Sequence, residues 1–324
     1  MELFESLKSK VLNKNVRVVF PEGTEPRILG AVVRLQAENL VHPVLLGNVE
    51  EIKTSAKEHG FDVENIEIID PNNYDEFDAM VEAFVERRKG KATAEQAHEI
   101  LKDENYFGTM LTHMGKVDAL VSGAVHSTGD TVRPALQIIK TKPGVSRTSG
   151  AFIMMRGRGQ EKYLFSDCAI NVNPSAQELA EIAVESAKTA EMFDIEPKVA
   201  LLSFSTKGSA KADEVTKVAE ATKIAKELAP QYEIDGEMQF DAAFVKAVAD
   251  QKAPESNVAG QASVFVFPEL QSGNIGYKIA QRFGNFEAIG PILQGLNKPI
   301  SDLSRGCVEE DVYKTAIITA NQAL

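Results

Sequence analysis

Val16-Arg-Val-Val-Phe20, followed by Pro21-Glu-Gly-Thr24, is a short apolar run closed by turn chemistry. It predicts a buried strand leading into a helix that carries Ile28, Val32 and Leu35 on one face. The same alternation continues outward. Val44-Leu-Leu46, Ile66-Glu-Ile-Ile69 and Ala119-Leu-Val121 read as further strands, each separated from the next by a helix-length segment. That βαβα order predicts an α/β protein with a mostly parallel sheet covered by helices.

The middle of the chain changes character. Ala151-Phe-Ile-Met-Met155 and Tyr163-Leu-Phe-Ser166, joined by Arg156-Gly-Arg-Gly-Gln-Glu-Lys162, read as a hairpin. Asn173-Pro174-Ser175 then opens a helix, with a capping box from Ser175 to Glu178 and apolar residues at Leu179, Ile182, Ala187 and Ala190. Val199-Ala-Leu-Leu-Ser203 and Ser263-Val-Phe-Val-Phe267 are strands flanking a helix with Val215, Val218 and Ile224. Turn chemistry at Thr141-Lys-Pro-Gly144 marks a domain boundary.

With 324 residues, 44% of them hydrophobic, the chain can bury a large core, and its length favours two domains. A formal charge of −12 argues against nucleic acid as a partner. Two cysteines, Cys168 and Cys307, form neither a disulfide framework nor a zinc motif, which suits a reducing compartment. Met1-Glu-Leu-Phe-Glu-Ser-Leu-Lys8 reads as a short amphipathic helix without a basic leader, and no run approaches the ~20 apolar residues of a membrane span. A cytoplasmic protein with no membrane partner is expected.

Chemistry concentrates in Ser301-Asp-Leu-Ser-Arg-Gly-Cys-Val-Glu-Glu-Asp311, just ahead of a C-terminal helix. Unpaired N–H groups and the positive dipole end at a helix start let Ser304, Arg305 and Gly306 cradle a phosphate-sized anion, with Asp311 available as a base. The stretch resembles the C-terminal signature of phosphate acetyltransferases, or phosphotransacetylases, within the phosphate acetyl/butyryltransferase family. Three further blocks resemble that family in its order: Gly123-Ala-Val-His126-Ser127-Thr128-Gly-Asp130-Thr-Val-Arg133-Pro134-Ala, Ser166-Asp-Cys168-Ala-Ile-Asn171-Val-Asn173-Pro174, and Leu270-Gln-Ser-Gly-Asn274-Ile-Gly-Tyr277-Lys278.

The resemblance implies two three-layer α/β domains with isocitrate/isopropylmalate dehydrogenase topology and an interdomain cleft. Residues 1–141 plus 292–324 would form the first domain, and 142–291 the second, which would dimerise. The implied reaction is acetyl-CoA plus phosphate giving acetyl phosphate plus coenzyme A, by direct thiolate attack in a ternary complex. Coenzyme A is then a substrate and no tightly bound cofactor or metal is expected. Asp311 is implied as base, Arg305 as the holder of phosphate and Ser304 as a hydrogen bond at the reacting centre, with Arg133 and Arg88 as substrate arginines. At Arg87-Arg88 the register allows either residue. Ser127 and Thr128 suit phosphate oxygens together with the loop amides, and Asn274 and Tyr277 are further substrate contacts.

Each residue also has a plainer explanation. Acidic residues at a helix start serve the cap and the dipole. Arg133-Pro134 fits a charged residue before a helix-starting proline, His126 a hydrogen-bonded structural histidine, and Gly273-Asn-Ile-Gly276 a tight turn. Cys307, beside Arg305, could form an acyl-enzyme if its thiol were acidified, against the reading of a small buried residue. A thiol near pKa 8.5 and an aspartate near 3.9 differ by about 4.6 units, so complete proton transfer is uphill by roughly 6 kcal/mol. Burial, or repulsion from Glu309 and Glu310, would narrow that gap. Other classes remain: a butyryl or longer-chain transferase, a non-catalytic acyl-CoA-sensing domain, and a nicotinamide-dependent dehydrogenase. The last lacks a G-x-G-x-x-G fingerprint here.

Overall fold

The computed structural model describes residues 3–157 and 159–324, so Met1 and Glu2 of the expected N-terminal helix and Arg158 of the expected hairpin connection lie outside the described residues. The chain divides into two compact units, one of Leu3–Lys140 with Leu296–Leu324, the other of Thr141–Gly295.

In the first unit, α1 (Leu3–Val11), β1 (Arg17–Phe20), α2 (Pro26–Ala37), β2 (His42–Leu46), α3 (Val49–Glu58) and β3 (Glu67–Ile69) alternate as the sequence predicts. Then come α4 (Phe77–Arg88), α5 (Ala94–Ile100), α6 (Glu104–His113), β4 (Ala119–Ser122) and α7 (Thr128–Pro134). The strands form one parallel sheet in the order β11-β4-β1-β2-β3, where β11 is Ile300–Asp302, reached after the chain returns from the second unit and followed by α13 (Glu309–Gln322). One face buries Val19, Val44 and Leu120 against Met80, Phe84, Phe107 and Met110 of α4 and α6. On the other, α13 packs on α1, α2 and β4. Three layers result, and all five strands direct their carboxyl ends to one edge.

The second unit holds β5 (Ser149–Arg156), β6 (Glu161–Ser166), α8 (Ala176–Met192), β7 (Lys198–Leu202), α9 (Asp213–Leu228), β8 (Glu233–Met238), α10 (Phe240–Phe244), α11 (Lys246–Lys252), β9 (Val264–Val266), α12 (Leu270–Phe283) and β10 (Glu287–Gln294). Its sheet is mixed, β10-β5-β6-β9-β7-β8, with the expected β5–β6 hairpin and β10 antiparallel and the rest parallel. The Ser175–Glu178 capping box forms and starts α8, whose Leu179, Ile182, Ala187 and Ala190 are buried. Residue 292 lies inside β10, which stays paired to β5 through Gln294, so the return to the first unit begins only at Leu296.

Two local expectations are corrected. Gly273-Asn-Ile-Gly276 is not a turn but part of α12, where Gly273 lets the helix approach Asp167: an added Cβ would lie 2.2 Å from that carbonyl oxygen. Pro134 does not start a helix. The Ser127–Asp130 capping box starts α7 earlier, and Pro134 sits where α7 widens into a π-helical turn over Ala135–Ile139.

Candidate active site

The carboxyl ends of β1, β4 and β11, neighbours in the first sheet, bring three loops together, and a buried carboxylate after β1 holds the loop after β4. Glu22, two residues past β1, accepts hydrogen bonds from the backbone N–H groups of Gly123 (3.2 Å), Ala124 (2.9 Å), Val125 (2.8 Å) and His126 (2.9 Å). His126 Nδ1 lies 2.8 Å from the same carboxylate. Burial pushes the Glu22 pKa up, but the His126 hydrogen bond and the loop amides outweigh it and hold the carboxyl below its usual range. Glu22 in turn raises the pKa of His126 against the opposing effect of burial, with Asp103 and Glu104 adding to the rise. His126 is thus a hydrogen-bonded histidine, in line with the plainer reading. The amides of residues 123–126 serve Glu22 rather than a phosphate, which corrects the reading of this loop as an amide cradle.

Ser127 caps α7: its hydroxyl lies 2.6 Å from the Asp130 carboxylate, whose own N–H points back at it, 3.3 Å away. Thr128 and Thr131 lie against Asp302, the last residue of β11. Burial raises the Asp302 pKa, only partly offset by those two hydroxyls, and its Oδ1 makes no hydrogen bond among the described residues.

β11 delivers the Ser304–Gly306 turn. Leu303 N–H donates to Ser122 O (2.7 Å), and Gly123 must be glycine beside it: its φ is +116°, and a Cβ there would stand 2.5 Å from Leu303 O. Within the turn the Ser304 hydroxyl accepts from Gly306 N–H (3.2 Å), and its carbonyl from Cys307 N–H (2.9 Å). Arg27 fastens this turn to the 123–126 loop. Its Nη1 donates to the carbonyls of Arg305 (2.8 Å) and Cys307 (2.9 Å), its Nη2 to Ala124 O (2.9 Å), and its Nε to Glu25 (2.6 Å). Glu22 and Arg27 are absent from the sequence-derived site. The signal available was one charged residue in a segment read only as a turn and another at the start of the helix that follows it.

Asp311 occupies the third position of α13, exposed, and accepts the Val308 N–H at 2.9 Å. Its plainer role as a helix cap is therefore real, since Val308 itself offers no side-chain cap. Glu310 pairs with Arg34 of α2 at 2.6 Å, and Glu309 lies over Gly30, so both neighbours turn toward α2. Cys307 is 6% exposed, and burial raises its thiol pKa, with Asp311, Glu22 and Glu25 opposing the acidifying Arg27. A protonated buried thiol fits the small-residue reading, not an acyl carrier.

The arginines divide sharply. Arg17, Arg27, Arg34, Arg147 and Arg156 each pair with a glutamate. Arg87 donates to Ile138 O (2.5 Å) and Ile139 O (2.9 Å), capping the π-helical turn, which leaves Arg88 as the free member of the pair. Arg88, Arg133 and Arg305 of the first unit, and Arg282 of α12 in the second, make no hydrogen bond or ion pair through their guanidinium groups among the described residues. Arg88 and Arg133 converge on Tyr106, where burial raises the phenol pKa and the two cations oppose it.

Asn274 and Tyr277 belong to α12 of the second unit. Asn274 donates to Cys168 O (3.1 Å) and receives Lys278 (2.9 Å), while Tyr277 stacks on Phe152 with ring centroids 4.1 Å apart. Among the described residues no cluster of three or more His, Cys, Asp or Glu could hold a metal ion, and no helix is long and apolar enough to cross a membrane.

Unpaired arginines at the carboxyl edge of a parallel sheet, with hydroxyls and a helix-start carboxylate beside them, define an enzyme that handles an anionic substrate. The family model for phosphate acetyl/butaryl transferase matches residues 2–320, and the chain belongs to that family of acyltransferases. It is 63% identical to the phosphate acetyltransferase of Bacillus subtilis (strain 168), covering 100% of this chain and 99% of the relative. A phosphotransacetylase structure from Streptococcus pyogenes matches at 63% identity with a TM-score of 0.97, covering 99% of this chain and 98% of that one. The EutD phosphotransacetylase from Staphylococcus aureus matches at 58% identity with a TM-score of 0.95, over 99% and 98% of the two chains.

Proposed function

We propose that this protein is a phosphate acetyltransferase, moving an acetyl group reversibly between coenzyme A and inorganic phosphate. The observation that carries the assignment is the set of unpaired guanidiniums in the first unit, Arg88, Arg133 and Arg305, in a chain whose net charge is −12 and whose other described arginines, apart from Arg282 of α12, all have partners. Guanidiniums with no internal partner remain available to an anion that provides bidentate oxygens.

In the direction of thioester formation, Arg305 holds the phosphate of acetyl phosphate and neutralises it as it leaves. Ser304 keeps its O–H free to donate while its oxygen accepts Gly306 N–H, so it can hydrogen-bond the carbonyl oxygen as negative charge develops there. The coenzyme A sulfur attacks the carbonyl carbon, the carbon–oxygen bond to phosphate breaks, and the thiol proton passes to Asp311. One Asp311 oxygen holds Val308 N–H and the other is available for that proton. Transfer concerted with attack avoids the ~6 kcal/mol of full prior ionisation. Arg88 and Arg133 bind the remaining anionic groups, with Thr128 on the same helix as Arg133 and Ser127 setting the start of α7. Asn274 and Tyr277 are further substrate contacts in this reading.

The second unit is the dimerisation unit in this proposal. Ile275, Ile279 and Phe283 form an exposed stripe at helical spacing along α12, with Phe283 87% exposed, which suits burial against a second copy. A cytoplasmic location accords with two free cysteines. The test of function is thioester formation on mixing the protein with coenzyme A and acetyl phosphate, without metal or nicotinamide, alongside butyryl phosphate. Fast turnover on acetyl phosphate is expected. Turnover on butyryl phosphate alone would move the assignment to the longer acyl chain, and none on either would remove it.

A further inference from the structure

We propose that His126 is an additional substrate contact, donating a hydrogen bond from Nε2 to a phosphate-type oxygen of the bound anion. The inference rests on the acyltransfer reading for the identity of that anion and on local geometry for the contact itself. His126 Nδ1 is fixed 2.8 Å from a Glu22 carboxylate that is itself held by four backbone N–H groups, so the ring has a rigid backing. The Glu22 side chain is 1% exposed and that of His126 24%, so the ring, held through Nδ1 against a buried carboxylate, still reaches solvent. No described residue accepts a hydrogen bond from Nε2.

The Glu22 contact also favours the doubly protonated ring, in which both nitrogens donate. The charged groups facing His126 are Glu22 from the β1–α2 turn, Asp103 and Glu104 from the start of α6, and Asp130 from α7. Three of these carboxylates accept backbone N–H groups: Glu22 from the 123–126 loop, Asp103 from Asn105 and Tyr106, and Asp130 from Ser127. Burial raises the pKa of the fourth, Glu104. Arg133 lies close to Asp130 on the same helix, so an anion meeting His126 also meets an unpaired guanidinium. Arg27 ties the loop carrying His126 to the Ser304–Cys307 turn, placing the contact on the same framework as Ser304 and Arg305.

Sulfate is a suitable probe, because its charge does not change across the range in which histidine titrates. Its inhibition constant against phosphate is measured across that range for the wild type and for His126→Gln. The wild type should bind sulfate progressively more weakly as pH rises through the His126 titration. In the variant the dependence should flatten and binding should weaken on the order of ten- to a hundredfold, the usual worth of a charge-assisted hydrogen bond. The KM for coenzyme A should stay within about twofold, whereas a loop merely loosened by the substitution would weaken both ligands together. In parallel, sulfate should shift the His126 Nε2 resonance of the wild-type protein, a readout that does not depend on the variant folding. A wild-type pH slope retained in His126→Gln, or an Nε2 resonance unmoved by saturating sulfate, would overturn the contact. A resonance that responds to sulfate in a protein that makes no thioester would uphold the contact and remove the acyltransfer reading instead.

Discussion

Gly123 shows how narrowly the site is built. With φ at +116° and Leu303 O 2.5 Å from where a Cβ would stand, Gly123→Ala must push β11 or its following turn away. The strain and the clash together should cost on the order of 2–4 kcal/mol in chemical denaturation, with a loss of kcat because Ser304 follows directly. Cys307 should behave oppositely. Burial keeps its thiol protonated, so Cys307→Ser should retain activity within a fewfold and the native thiol should alkylate slowly. Loss of turnover in that variant would revive the acyl-enzyme route. Ser304, Arg305 and Asp311 could be proposed from the sequence because their chemistry sits in one contiguous stretch. Glu22 and Arg27 were not, since the bonds that place them in the site reach across a long separation, to residues 123–126 and 305–307, and the one local partner, Glu25, says nothing of it.

Elements were legible where the cause is local. The strand–turn–helix at Val16–Leu35, the hairpin β5–β6 and the capped start of α8 follow from period, turn residues and caps. β8, Glu233-Ile-Asp-Gly-Glu-Met238, carried no strand signal, because three acids and a glycine are poor strand formers. It exists because its buried acids find partners elsewhere: Asp235 binds Lys207 (2.6 Å) and Lys226 (2.9 Å), and Glu237 binds Ser205 (2.9 Å) and Gly208 N–H (2.7 Å). β11 was missed for a related reason, being three residues long and defined only by pairing with β4. Burial works against the charge on Asp235, yet Lys207, Ser256 and Lys226 bring its pKa down to about 2 from 3.8. A lowered carboxyl pKa gives stability that is present above 3.8 and disappears as pH falls through about 2. Asp235→Asn should therefore lower stability by roughly 1–3 kcal/mol at neutral pH, with the difference from wild type closing in acid. The Glu22–His126 pair behaves differently. Glu22, lowered, contributes fully above 4.5 and His126, raised, contributes fully below 6.5, so their joint support is complete between those values. It should weaken as pH rises through the folded His126 pKa, visible as a falling midpoint of thermal unfolding.

The whole molecule carries a field that opposes its own substrates. At a net charge of −12, an anionic coenzyme must approach against repulsion, and in the proposed site Arg88, Arg133 and Arg305 would offset it locally. Moderate salt screens the long-range repulsion over about 8 Å and leaves the bidentate contacts less affected. The KM for coenzyme A should therefore change only modestly between low and physiological salt in the wild type, and rise by tenfold or more in Arg133→Ala at either. A KM unaltered in Arg133→Ala would take that residue out of the site.

Asp311 is both the cap of α13 and the proposed base, and those roles separate in two substitutions. Asp311→Asn keeps an acceptor for Val308 N–H and removes the proton acceptor, whereas Asp311→Ala removes both and should cost about 1 kcal/mol of stability. The decisive measurement is the rate of thioester formation from coenzyme A and acetyl phosphate in Asp311→Asn, made beside its thermal unfolding. With Asp311 as the base, this variant should keep wild-type stability with kcat reduced by at least a hundredfold. A stable Asp311→Asn protein that turns over at the wild-type rate would contradict that role.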